Sequence, residues 1–481
     1  MLPPVPNPAD YGISAETGFL PAEAPATELP AYYAEWDSIV NNLQALILAG
    51  RLRKTVSDMQ LLSTEHLHSI AHWRRAYSIL GFILHGYIWG GETAASQIPK
   101  PLSIPLLKIS SHLDLPPVAT YAGVCLWNYK PIFPDEPAGT LENIATLHTF
   151  TGSFDEQWFY LVSVAIEARG AGTIPLMLRA ITAARENDSR ELVSCLTKFA
   201  EIVDDINLIL QQMYKHCDPH VFYHRIRPYL SGSKGTAELP KGILFDDGTG
   251  NTEYKHYRGG SNAQSSLIQF LDIVLGVEHR PTGETRPSNT TSSSSSGDEA
   301  GEARKRWHNF LMEMRTYMPG PHRRFLEHVA SVSNIQEYVS AHQSDPELMM
   351  AFNAAVAMVK AVRTTHITMV SRYIVVKSRE TNRSLNPNTP STPAPRASTS
   401  TKKLRGTGGT ALIPFLKQAR DETGEAAIGA WAKRLLDQAG VQSPKVAAIP
   451  KIDEHADGHM EVVGLAGTWS INEGEGGLCH W

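Results

Sequence analysis

One uninterrupted stretch constrains this chain more than any other. It opens at Ser344-Asp345-Pro346 and runs to about Val376 without glycine or a further proline. A polar capping residue followed by proline at the first helical position is a helix start, so the spacing predicts one long helix from Pro346. Phe352, Ala355, Val359, Val362, His366, Met369 and Tyr373 recur at alternating intervals of three and four. Residues so spaced share one face, so the helix has an apolar stripe that must be buried against other elements.

His366 interrupts that stripe. An imidazole among aliphatic groups needs a partner for each nitrogen: a backbone or carboxylate acceptor, water, or a metal. Read alone, it is a satisfied core histidine. Arg363, one turn earlier on the same face, points to the second reading, because a guanidinium there suits the carboxylates of a haem whose iron the histidine holds.

A chain of 481 residues has room for about two or three domains, and a 42% hydrophobic share can fill a core. Basic and acidic residues nearly balance at 44 against 49, and no basic stripe with interleaved aromatics marks a nucleic-acid path. The four cysteines, Cys125, Cys195, Cys217 and Cys479, show no CxxC or CxxCH spacing. Free thiols in a reducing compartment are therefore expected, without a zinc ribbon or covalently attached haem. The opening MLPPVPNPADYG lacks the features of a secretory signal, and no segment is expected to cross a bilayer. These traits predict a cytoplasmic protein.

Helical periodicity covers Tyr32 to Leu62 and Glu65 to Trp89, and the glycines and prolines from Trp89 to Pro117 break it. Residues 1–118 are thus expected to form a small helical N-terminal domain. Residues 119–440 are expected to form a large all-helical domain, including Gln157 to Ala168, Ile174 to Glu186, Glu191 to Cys217 and Ser261 to Val277. The fold class is all-α, with one small hairpin expected near Leu244 to Tyr257. Two stretches rich in Ser, Thr and Pro, 281–304 and 380–403, are expected to be mobile insertions. Residues 441–481 are expected to be a flexible tail.

Several local groups could carry chemistry. In Asp218-Pro219-His220-Val221-Phe222-Tyr223-His224-Arg225-Ile226-Arg227, a ring and a guanidinium one turn apart could hold a flat ligand bearing a carboxylate; a core aromatic pair with a surface arginine is the plainer account. Gly259-Gly260-Ser261-Asn262 leads into an apolar helix, so main chain could approach a ligand there, although simple capping explains it too. Arg405-Gly406-Thr407-Gly408-Gly409 reads as a lid or a plain linker. Asp272 lies inside an apolar helix and needs a buried partner; the free N–H of a metal-bound histidine is one option.

Taken together, these blocks resemble the indoleamine 2,3-dioxygenase family, and its fungal branch in particular. The likeness runs from about Leu115 to Leu416 through LPPVATYAGVCLWN, FYLVSVAIEA, DPHVFYHRIRPYLSG, GGSNAQSSLIQFLDIVLG, MRTYMPGPHRRFL, VRTTHITMVSRYI and RGTGGT. The resemblance implies a small helical domain over a large one, with haem b between them and O2 as co-substrate. His366 would be the iron ligand, with Arg363, Asp272, Val124, Gly260, Ser261 and Asn262 around the cofactor. Ser163, Phe222 and Arg227 would be the catalytic set, and Tyr121, Phe159, Ser261 and Thr407 would join Phe222 and Arg227 around the substrate.

The reaction implied is insertion of O2 across the indole C2–C3 bond of L-tryptophan or a related indoleamine. Its product would be N-formyl-L-kynurenine, the first step of the kynurenine route toward NAD, with an external reductant keeping iron ferrous. A monomer is expected. Tyr223, Val124-Cys125 and Asn262 depart from the family pattern, Asn262 standing where alanine is familiar. Two rivals remain open at this point: an oxygen binder of the same fold with little tryptophan turnover, and a helical scaffold without cofactor.

Overall fold

The structure is a computed structural model that describes residues 3–136, 139–281, 310–385, 407, 412–439, 460–464 and 467–471. Met1–Gly429 form one compact unit and Ala430–Trp481 a second. The class is all-α: strands are confined to three two-stranded pairings among the described residues.

The long helix spans Pro346–Val370, and the Asp345 side chain accepts hydrogen bonds from Glu347 N and Leu348 N at its start. Its predicted stripe is buried: Phe352 and Ala355 are fully covered, and Val359, Val362, Met369 and Tyr373 nearly so. The partner is Ser189–Gln211, which repeats the same spacing with Leu192, Leu196, Phe199, Val203, Ile206 and Leu210 and is capped by Asp188. Each such side chain contributes about 1.5–3 kcal/mol on burial, so this seam is the main weld of the unit.

Ile70–Trp89 is covered on all sides from Arg75 to Gly86, as expected of a central helix. Its side chains bridge the expected boundary at residue 118: Tyr77 Oη lies 3.3 Å from Thr120 Oγ1, and Ser78 Oγ donates to Gly123 O (2.7 Å). Ahead of it, the predicted Tyr32 to Leu62 helix is three short ones, Ala34–Asn41, Leu43–Leu48 and Leu52–Asp58. Gly50, at φ +65°, turns the chain between the last two, a conformation that glycine adopts freely.

Four further expectations are corrected. The hairpin near Leu244 to Tyr257 is not formed: Leu244–Phe245 pairs in parallel with Gln97–Ile98, and a single bridge joins Ile243 to Lys255. Gly248 and Gly250, at φ 82° and 81°, take the loop out of the extended conformation that a ladder needs. Residues 154–185 are long and apolar enough to cross a membrane, contrary to expectation. They are instead two helices, Phe154–Gly170 and Thr173–Arg185, and 72% of that apolar window is buried within the fold. Of the insertion expected at 380–403, the first residues are helical, within Lys377–Leu385; residues 386–403 and 282–304 lie outside the described residues. Within the expected tail, Met460–Gly464 and Gly467–Ile471 pair as antiparallel strands, in keeping with the β-branched and aromatic residues of MEVVG and GTWSI.

Candidate functional site

Among the described residues, three segments are wound as π-helical turns: Ala122–Leu126, Phe222–Ile226 and Ser371–Val376. Such turns are uncommon and re-aim side chains that an α-helix would direct elsewhere. All three converge on one cavity, to which they supply Val124 and Cys125, Phe222, and Tyr373 and Ile374.

The cavity holds about 1240 Å³ not filled by atoms, part of it open to solvent, and Tyr121, Phe159, Ser163, Arg227, Gly260, Ser261, Asn262, His366 and Thr407 also line it. An adjoining chamber of about 880 Å³ shares Tyr121, Ser163, Asn262 and His366 and extends to Arg363. The expected site residues are thus brought together, apart from Asp272, which stands behind Arg363.

His366 lines both chambers. Burial, with Arg363 nearby, pulls its pKa down to about 4, so the ring is neutral near pH 7 and keeps a lone pair for a metal. Among the described residues no hydrogen bond reaches this ring, and no group of three His, Cys, Asp or Glu could cage a bare ion. A single imidazole on an apolar cavity fits a metal whose remaining ligands would come from a macrocycle.

Arg363 is more committed than its expected propionate role implies. Nη2 lies 2.7 Å from Asp272 Oδ2, and Nη1 donates to Thr423 Oγ1 and, at 3.4 Å, to Ala419 O. Asp272 does not make the expected bond to His366 among the described contacts. Its Oδ2 takes Arg363 and His279 (3.1 Å), whereas Oδ1 is buried without a partner.

On the substrate side, the Phe222 ring centroid lies 5.0 Å from that of Phe159 and 5.7 Å from that of Tyr373, so its orientation is fixed from two directions. The Arg227 guanidinium lies 5.5 Å from the Tyr223 ring centroid. Tyr223 is outside the cavity wall, so its contribution is to brace Arg227 rather than to face a ligand. Ser261 caps the Asn262–Gln264 turn by accepting from Ala263 N. Gly259 is required there, since a Cβ would stand 2.0 Å from Leu230 O. Thr407 covers this turn: its Oγ1 donates to Gly260 O (2.8 Å) and its carbonyl accepts from Gly259 N (3.3 Å).

Sequence reasoning missed two groups. Glu167 lies behind the wall, with Oε1 accepting from Tyr121 Oη (3.0 Å) and Ser265 Oγ (2.6 Å); burial raises its pKa to about 7. The same signal that singled out Asp272, an acid in an apolar run, was present in FYLVSVAIEA. His279, between Asp272 and Glu422, gave no comparable signal.

The arrangement can hold a planar aromatic amino acid: a ring to stack on, a guanidinium for the carboxylate, and a neutral imidazole for a metal. Comparison with known proteins agrees. A model of the indoleamine 2,3-dioxygenase family matches residues 7–426. The indoleamine 2,3-dioxygenase acdA of Aspergillus candidus is 38% identical over 86% of this chain and 96% of its own length. The indoleamine 2,3-dioxygenase of Saccharomyces cerevisiae is 38% identical over 87% and 93%. A 6-hydroxytryptophan 2,3-dioxygenase of Fusarium equiseti is 37% identical over 86% and 96%. With the human indoleamine 2,3-dioxygenase 2, identity is 33% over 86% and 94%. The fold, the convergence on one cavity and a match over nearly the whole chain lead to one conclusion: this dioxygenase belongs to the indoleamine 2,3-dioxygenase family, with a fungal character.

Proposed function

We propose that the chain binds haem b through His366 and inserts both atoms of O2 across the indole C2–C3 bond of L-tryptophan, giving N-formyl-L-kynurenine. The observation that carries this reading is the meeting of His366, Phe222 and Arg227 on one apolar cavity. When bound, haem supplies the iron that activates O2. The chain's own residues do the rest: Phe222, held by Phe159 and Tyr373, sets the indole plane, and Arg227, braced by Tyr223, fixes the amino-acid end. Orientation of this kind is worth roughly 7–11 kcal/mol in favourable cases. Thr407, closed on Gly260, shields the bound substrate from water. Arg363 would face a haem propionate, and Asp272 would hold Arg363 in place while its free Oδ1 meets the iron ligand.

A ring-hydroxylated tryptophan is the second reading. Asn262 favours it, since its side-chain amide lines both chambers and makes no hydrogen bond among the described residues. We assign the chain a cytoplasmic place, a monomeric state and a supply route toward NAD on the same footing.

The test is formation of N-formylkynurenine in air by the reduced, haem-loaded protein, comparing L-tryptophan with 6-hydroxytryptophan. A Soret band without product from either would leave an oxygen binder. No Soret band after expression with ample haem would remove the proposal.

A further inference from the structure

His279 sits where two buried carboxylates meet. Its Nε2 is 3.1 Å from Asp272 Oδ2 and its Nδ1 is 2.7 Å from Glu422 Oε2. Ionised carboxylates only accept, and a neutral imidazole has one N–H to give. Satisfying both neighbours requires the doubly protonated ring.

The two acids belong to different elements. Asp272 lies on Ser266–Val274, beside Arg363 of the long helix, and Glu422 lies on Leu412–Glu425. This last helix also supplies Leu412, Phe415 and Leu416 to the cavity wall. We infer that His279 is a positioning residue: as an imidazolium it pins the Leu412–Glu425 helix to the Asp272–Arg363 pair and so holds one wall of the reaction cavity closed.

The charges around it among the described residues are of both signs. Asp272, Glu422 and Glu425 face His279, Arg280 and Arg363, with Arg280 paired to Glu425 at 2.6–2.9 Å. Arg315 also acts on Asp272, and Glu278 on Arg280, from the periphery. Loss of the His279 proton leaves one buried negative charge uncompensated and one acceptor without its donor. Burial opposes the charged ring, but Asp272 and Glu422 outweigh it and raise the pKa above the ordinary 6.5. The sign follows: the contribution is complete below about 6.5 and is lost as pH rises through the elevated value.

The inference rests on the proposed reaction site for its kinetic consequence only. Thermal unfolding of the full chain tests the pin itself, at about pH 6 and about pH 9. Wild type is expected to lose stability between the two. His279→Gln, which keeps one donor without the charge, is expected to match the alkaline wild type at both, and His279→Lys the acidic one. Glu422→Gln, the milder change, is expected to flatten the same pH response. In the haem-loaded enzyme, His279→Gln is expected to raise KM for L-tryptophan about tenfold with kcat little changed.

A wild-type pH response retained in both His279→Gln and Glu422→Gln overturns the inference, as does an unchanged KM in an active enzyme. Absence of haem or product alongside the expected unfolding pattern would sink the proposed function and leave the pin standing.

Discussion

Arg363 Nη2 stands 2.7 Å from Asp272 Oδ2, with only 14% and 6% of the two side chains exposed. Burial alone would raise the Asp272 carboxyl; Arg363 and His279 hold it at about 2. A depressed acid stabilises the fold above its ordinary value of 3.8, and that contribution, on the order of 2 kcal/mol, is lost as pH falls toward 2. Asp272→Ala should be destabilised by about 3–5 kcal/mol at neutral pH, because buried Arg363 loses its counter-charge and His279 keeps only Glu422. Denaturant unfolding measures the loss, and acid titration of the variant should lack the wild-type transition. A variant as stable as wild type would refute the pairing.

His366→Ala should abolish stable haem binding yet leave the fold intact, since the ring faces open cavity rather than packed side chains. Absorption spectra after haem reconstitution, with circular dichroism as the check on folding, decide it. Full occupancy with an unchanged spectrum would move the ligand to another of the 19 histidines.

For Arg227→Ala the expectation is normal haem content with tryptophan binding weakened roughly tenfold to 150-fold, the loss of about 1.5–3 kcal/mol for one charge-assisted contact. Spectral titration with L-tryptophan reads it directly. The same titration with tryptamine, which lacks the carboxylate, should show no difference between variant and wild type.

Thr407→Val removes the hydroxyl that donates to Gly260 O and keeps the side-chain shape. KM should rise by several-fold, in line with about 0.5–1.5 kcal/mol for a neutral hydrogen bond, with haem content unchanged. Steady-state kinetics at saturating O2 test this, and an unaltered KM would remove Thr407 from the cover.

Much of the cavity was legible in the sequence because its residues sit on regular helices or in short contiguous blocks. The three-and-four spacing around His366 carries over directly to the long helix, and the Phe222 to Arg227 spacing survives because one turn of almost any helix brings such residues close. His279 and Glu422, by contrast, are 143 residues apart, and no local pattern announces a contact of that range. The π-helical winding was equally hidden, since i, i+4 and i, i+5 bonding draw on the same side-chain preferences. Glu167 was within reach, as its setting resembles that of Asp272. The failed Leu244 to Tyr257 hairpin shows the reverse case: local alternation was present, yet the better partner for Leu244 lay at Gln97.

The three π-helical turns have a consequence for the evolution of this pocket. Each corresponds to one surplus residue taken up within a single wide turn, and excising that residue would restore α-winding there and re-aim the side chains of that turn. Single-codon deletions at Ala122–Leu126, Phe222–Ile226 or Ser371–Val376 would therefore redirect the several side chains of one turn together, whereas substitutions alter one side chain at a time. Length, as much as chemistry, is the inherited variable that shapes what this cavity admits.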